Sequence, residues 1–246
     1  SARSVIAPGC DLRYDECGLP ASIAKVLFEP FVLGQLLRAG HASSTDAARQ
    51  MLRDEEPGAM EILGQVAENR VVLLHRAPVL HRWGIQAFRP RITNEDVVRL
   101  HPLTNPAFNA DFDGDEMDVY LPLSQRAQEE ADSMRPSANQ IGLADGAYMN
   151  FPSQDMSLGC YYATLPGTEG REAGKFATFD ALSTAFERGE VRAHEAVVLG
   201  RGNAARRTTV GRALFNQLLP RECEWIDGPV TREEMARLLR WCWREL

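Results

Sequence analysis

The hydrophobic period changes several times along the chain, and each change marks an element. Residues 1–19 alternate in strand fashion, first at Val5 and Ile6 and then at Leu12 and Tyr14, with Pro8-Gly9 and Gly18-Leu19-Pro20 as punctuation. From 21 to 39 the spacing turns helical, through Ile23, Val26, Leu27, Phe31, Val32, Leu36 and Leu37. Pro30 lacks the N–H that a helix interior uses, so a buried helix pair broken near it is expected. A further helix is predicted over 43–53, with Ser44 or Thr45 as N-cap, and a short one over 59–68. Val71-Val72-Leu73-Leu74 is a continuous apolar run, as in a strand buried on both faces. Residues 87–91, 97–100 and 117–121 read as further short strands. Period alone therefore gives short strands, closed or stacked, with a helical insertion at about 20–68.

After Pro122 the texture becomes mainly helical, which divides the chain into regions 1–122 and 123–246. An acidic-faced helix is expected over 124–134. A loop with Pro136, Gly142 and Gly146 follows, then an apolar helix from Pro152 through Tyr162. Residues 164–175 are rich in Gly and charge and read as a linker-like loop. Helices over 179–188, 209–219 and 232–246 and a strand and turn over 191–202 complete the reading. Thr231, with Glu234 three residues on, forms a capping box for the last helix. Trp241 and Trp243 fall on different faces of that helix, so at least one is expected to meet protein outside this chain. The chain opens in a strand-like run at Ser1 and stops within a helical pattern at Leu246, so an internal piece of a longer polypeptide is expected.

Composition adds limits. The 246 residues are 44% hydrophobic and 25% charged, ordinary for a globular protein. No run of about 18 apolar residues occurs, and no basic-then-apolar segment opens the chain, so neither membrane spanning nor secretion is indicated. Cys10, Cys17, Cys160, Cys223 and Cys242 form no CxxC pair, which points to reduced thiols rather than a zinc site. A net charge of −7 argues against a nucleic-acid binder, but it hides a local excess. Arg70, Arg76, Arg82, Arg89, Arg91 and Arg99 stand against Glu95 and Asp96. A basic tract beside acidic metal ligands is what phosphoryl transfer on a polyanion uses.

Those acidic ligands lie at 109–118, Asn-Ala-Asp-Phe-Asp-Gly-Asp-Glu-Met-Asp. Asp111, Asp113 and Asp115 alternate with Ala110, Phe112 and Gly114, and Glu116 and Asp118 follow without a Lys or Arg. Such a cluster repels itself unless a cation sits in it. Three short carboxylates suit Mg²⁺, which takes a small octahedral oxygen shell at about 2.1 Å. Gly114 would let the backbone curl around the ion. An EF-hand is excluded: counted from Asp111, Glu116 stands where Gly is required and Pro122 where the bidentate Glu is required. His81 and His101 lack an evident carboxylate partner in the sequence and read as structural. The apolar flanks, Ala107-Phe108 before and Val119, Tyr120 and Leu121 after, argue against a merely solvated turn.

The heptapeptide Asn109-Ala-Asp-Phe-Asp-Gly-Asp115 with its Leu-Pro-Leu-Ser run resembles the catalytic loop of the largest subunit of bacterial-type (β′) multisubunit DNA-directed RNA polymerases. Arg76-Ala-Pro-Val-Leu-His-Arg82 with Gly84-Ile-Gln-Ala-Phe88 is similar to the family's segment just upstream, and the resemblance extends to 208–212. It departs at Arg135-Pro-Ser-Ala-Asn139 and Ala147-Tyr-Met-Asn150. The resemblance implies an α+β fold: a double-psi β-barrel with a helical insertion, then a mainly helical region. It implies Mg²⁺ held by Asp111, Asp113 and Asp115, with the RNA 3′-OH attacking the α-phosphate of an NTP. It implies that Arg76 and Asn109 bind the ribose hydroxyls of the NTP. It implies that Arg3 lies near the template strand and that Arg82 also binds nucleic acid, with Gln154 a weaker candidate contact. The implied partners are the second-largest (β) subunit, an α dimer, ω, a sigma-type factor, DNA template and RNA transcript. The implied location is the bacterial cytoplasm, with the nucleoid.

The sequence reading is thus the active-centre portion of such a polymerase, inactive alone because the family's bridge helix, trigger loop and clamp lie elsewhere. RNA synthesis by the isolated chain on a primed template, abolished by Asp113→Ala, would sink that expectation. A non-catalytic Mg²⁺- or partner-binding barrel and a single-chain RNA-templated polymerase are the alternatives. The intact triad argues against the first. The matches over 76–88 and 152–155 argue against the second.

Overall fold

The computed structural model describes residues 1–141, 151–152, 154–166 and 172–245, and the chain divides into units Ser1–Asn150 and Phe151–Leu246. The loop through Gly142 and Gly146, the departures at 147–150, and the side chains of Gln154 and Trp243 lie outside the described parts.

In the first unit, strands β1 (Ala2–Pro8) and β2 (Glu16–Pro20) precede helices α1 (Ala21–Arg38), α2 (Thr45–Arg53) and α3 (Pro57–Glu68). Strands β3 (Val72–His75), β4 (Ile85–Thr93) and β5 (Val98–Leu100), the single-turn helix α4 (Asn105–Phe108), strand β6 (Glu116–Tyr120) and helix α5 (Gln125–Asp132) complete it. The six strands close in the order β1-β5-β2-β4-β3-β6. Pairs β1/β5 and β2/β4 are parallel, and the other pairs are antiparallel. This closed mixed barrel, interrupted by helices between β2 and β3, is the double-psi β-barrel with helical insertion that the motif resemblance implied.

Alternation fills the barrel. Leu19, Val72, Leu74, Phe88, Val98, Leu100, Met117 and Val119 are fully buried, and α1 and α3 add Phe28, Val32, Leu36 and Leu63 to the same core. Each such large side chain contributes about 1.5–3 kcal/mol relative to exposure. The barrel also holds α5: the Gln128 side chain accepts from the Val71 amide at 2.8 Å and donates to Pro122 O at 2.8 Å, while Ala131 packs on Val71 and Ala87.

One expectation is corrected. No helix pair forms at 21–39; α1 is continuous, with Pro30 inside it. Pro30 is exposed and Val26, whose carbonyl it leaves without a helical partner, is 69% exposed, so the missing bond falls on the solvent side. The opposite face, with Ala24, Leu27, Phe28, Val32, Leu33 and Leu36 buried, holds the helix together through the interruption.

The second unit contains α6 (Gln154–Ala163), β7 (Gly174–Phe176), α7 (Phe179–Glu187), β8 (Ala196–Leu199), β9 (Arg206–Thr209), α8 (Val210–Gln217) and α9 (Arg232–Glu245). The predicted strand at 191–202 is β8, the middle of a three-stranded sheet whose other members the periodicity does not signal. In β9 the two arginines are exposed and only Thr208 and Thr209 are buried, so no apolar alternation marks it. Thr231 caps α9, accepting from the Glu234 amide at 3.2 Å.

Candidate metal centre

The acidic loop joins α4 to β6, and its course follows from three residues. Asn109 ends α4 in the left-handed region (φ 50°, ψ 45°), which Asn tolerates, and the Ala110 amide donates back to Asn105 O at 3.0 Å. Gly114 takes φ 125°, where a Cβ would be strained, and so supplies the curl the sequence suggested. Asp115 O then accepts from the Ile6 amide at 3.0 Å, fastening the loop to β1 as β6 begins.

The result is convergence. Asp111, Asp113 and Asp115 each offer a carboxylate oxygen within 4.8 Å of the others. Oxygens bound to one Mg²⁺ at about 2.1 Å stand roughly 3 Å apart when adjacent and about 4.2 Å apart when opposite. Rotation of the exposed Asp111 and Asp113 side chains can close this set onto a small hard cation. The three carboxylates can hold Mg²⁺, leaving positions for water or phosphate oxygens.

The acids are not equivalent. Arg76 follows β3 directly, and its Nε donates to Asp115 Oδ2 at 2.7 Å; the same oxygen accepts from the Asp111 amide at 3.1 Å. These bonds, the Arg76 one foremost, hold the Asp115 carboxyl below the ordinary range. Among the described residues no cation pairs with Asp111. Hydrogen bonding to Asp113 chiefly, then partial desolvation and the charges of its two neighbours, push its carboxyl up. Asp111 and Asp113 are exposed, whereas the Asp115 side chain is 22% and that of Arg76 17% exposed. One carboxylate is thus anchored and two face outward.

The structure brings Arg76 to the triad and keeps Asn109 exposed at the loop's entrance. Arg3 lies on β1 opposite Asp118 of β6, donating from Nε to Oδ1 at 2.7 Å. Arg82 is exposed and lies over the Trp83 ring at 4.5 Å. In the basic tract, Arg70 stacks on Phe31, Arg91 pairs with Glu16 and Arg99 with Asp11, so among the described residues only Arg76 of its six arginines touches the triad. Sequence spacing could not foresee this, because the partners come from β2, α1 and the turn before β2. Nδ1 of His81 and of His101 accepts a nearby backbone amide, of Trp83 and Leu103 respectively, which is a structural role. Burial pushes the His101 imidazole down. A histidine that the sequence does not single out, His75, the last residue of β3, meets Asp118 at 3.1 Å. Its only signal was its place after the apolar run and before Arg76.

Comparison with known proteins gives the class first. The family model described as RNA polymerase Rpb1, domain 2, matches residues 39–136, which include the acidic loop and Arg76. The β′ subunit of DNA-directed RNA polymerase from Desulforudis audaxviator is 40% identical over 250 residues, covering 100% of this chain and 22% of that subunit. Those of Rhodopirellula baltica and Nitrosococcus oceani are 38% and 40% identical over 263 residues, with 100% of this chain and 18% and 19% of theirs covered. The chain spans about a fifth of the length of the curated relatives it matches. It belongs to the β′-subunit family of DNA-directed RNA polymerases.

Proposed function

We propose that this chain carries the active-centre metal loop of a bacterial RNA polymerase β′ subunit and serves DNA-templated RNA synthesis. The observation that carries the reading is the convergence of Asp111, Asp113 and Asp115 within 4.8 Å on a loop pinned to a closed barrel. Bound there, Mg²⁺ would lower the pKa of the RNA 3′-OH and offset charge developing on the α-phosphate. Asp115, fixed by Arg76, would hold the ion to the barrel, while exposed Asp111 and Asp113 complete the ligand set from the outer side. Arg76, already donating through Nε, has further guanidinium N–H groups for a ribose hydroxyl, and Asn109 offers an amide beside it in sequence to the triad. Losing hydrogen bonds to the 2′-OH would penalise a deoxynucleotide, giving selection for NTPs. Exposed Arg3 and Arg82 would contact template or transcript phosphates.

Assembly with β, an α dimer, ω and a sigma-type factor, and a place in the cytoplasm at the nucleoid, belong to the same proposal. Among the described residues no helix is long and apolar enough to cross a membrane. The domain assignment, a catalytic barrel region at 1–122 followed by a mainly helical region at 123–246, is likewise proposed.

The test uses polymerase reconstituted with this chain's residues in its β′ subunit. Fe²⁺ replaces Mg²⁺, and hydroxyl-radical cuts in the backbone are mapped. Cuts clustered at 109–118, lost together with RNA synthesis in Asp113→Ala, are expected. Cuts elsewhere, or synthesis surviving the substitution, would make the loop structural and favour a non-catalytic barrel.

A further inference from the structure

Outside the acidic loop, a row of polar side chains crosses three strands of the barrel. The register sets Arg3 of β1 beside Asp118 of β6, and Asp118 beside His75 of β3. Met117, Val119, Val72 and Leu74 are fully buried, so the alternate residues Asp118 and His75 lie on the outer face. Asp118 takes Arg3 side-on, with Nε donating to Oδ1 at 2.7 Å and Nη2 to Oδ2 at 3.2 Å. Nδ1 of His75 lies 3.1 Å from the same Oδ2; an ionised carboxylate only accepts, so that nitrogen carries the hydrogen.

The row is asymmetric. The Asp118 and His75 side chains are 16% and 21% exposed, but that of Arg3 is 61% exposed. The anion is sheltered while the guanidinium stands partly in solvent, and its Nη1 makes only a long ion pair with Glu116 Oε2 at 4.0 Å, beyond hydrogen-bonding range. A planar guanidinium held along its Nε–Nη2 edge has its end-on Nη1–Nη2 edge oriented too, and that edge matches two oxygens of a phosphate.

We propose that Asp118, steadied by His75, is a positioning residue that presets Arg3 so that its open edge grips a phosphodiester of the template strand. The inference rests on the reading of Arg3 as a nucleic-acid contact. Asp118 also cancels part of the Arg3 charge, which weakens long-range attraction. The gain is in geometry and therefore shows in dissociation rather than association.

The lifetime of template complexes of the reconstituted polymerase, challenged with competitor DNA, reads this directly. Asp118→Asn keeps the shape but removes the charge-assisted clamp, and it shortens the lifetime roughly three- to tenfold. The same substitution adds no further loss in an Arg3→Ala background, because Asp118 acts only through Arg3. Arg3→Lys, which keeps charge but cannot bond a carboxylate and a phosphate along two edges of one plane, matches Asp118→Asn. Additive losses, or an unchanged lifetime in Asp118→Asn, overturn the proposal. If Asp118→Asn fails to assemble, His75→Gln in the same cycle carries the test, with a smaller loss that vanishes in Arg3→Ala; a loss that persists there overturns it. An Arg3→Ala enzyme with unaltered lifetime removes the underlying reading of Arg3 and the proposal with it, while the Asp113→Ala experiment judges the metal loop separately.

Discussion

At the scale of single residues, the division of labour within the triad turns on Arg76. Its Nε bond keeps Asp115 ionised to lower pH than an ordinary carboxyl, so this ligand of the proposed site is available before Asp111 is. Arg76→Ala returns the Asp115 carboxyl upward. In the wild type, Mn²⁺ affinity is lost on acidification as the carboxylates protonate; in the variant that loss begins at a higher pH. The sign follows from linkage: a depressed folded-state value contributes stability above the unfolded carboxyl value, and the contribution disappears as pH falls through the folded one. Mn²⁺ binding titrated against pH in both proteins measures the displacement. Acid limbs that coincide would mean that the Arg76 bond does not govern the protonation that limits ion binding.

At the scale of elements, α1 shows what a helix tolerates when one face is well buried. Pro30 costs it a hydrogen bond and a steric contact, but both fall on the exposed side. Pro30→Ala is therefore expected to stabilise the protein by about 1–2 kcal/mol, less than the full propensity difference because proline also restrains the unfolded chain. Thermal melting checks it: a rise of roughly 2–6 °C is expected, and a fall would show that the ring itself packs usefully. The same element shows where sequence reading succeeds and fails. The apolar positions of α1 and the strands of the barrel were legible, because burial on one face imposes a period. The Thr231 cap, and Ser44 as one of two candidates for α2, were legible because a side-chain acceptor must precede a helix. The continuity of α1 through Pro30 is not legible, because which side of a helix faces solvent is a tertiary fact. The triad was legible from its spacing together with Gly114. The Arg3–Asp118–His75 row was not, because register between strands far apart in the chain is a tertiary fact. The pairing of β7 and β9 around β8 escaped for the same reason.

At the scale of the whole molecule, the two units have separate hydrophobic cores. One is built on the barrel and α1 to α3, and the others lie on the β7–β9 sheet and against α9. Gly211, at the start of α8, tests how separate they are. A Cβ there would stand 1.9 Å from Ala163 O and 3.2 Å from Ala193 O, both backbone atoms of the second unit. The Gly211 amide already donates to Ala193 O at 2.8 Å, so α8 cannot retreat without breaking that bond. Backbone against backbone has no rotamer to yield, and Gly211→Ala is expected to destabilise the second unit by about 2–3 kcal/mol or more. Because those contacts and the core around Val210 and Ala213 lie within residues 151–246, the loss stays there. Hydrogen exchange read peptide by peptide would show protection falling across α6 to α9 while the barrel strands and α1 keep theirs. Equal loss in the barrel would mean that the two cores unfold as one, and that the metal loop depends on helices well beyond its own unit.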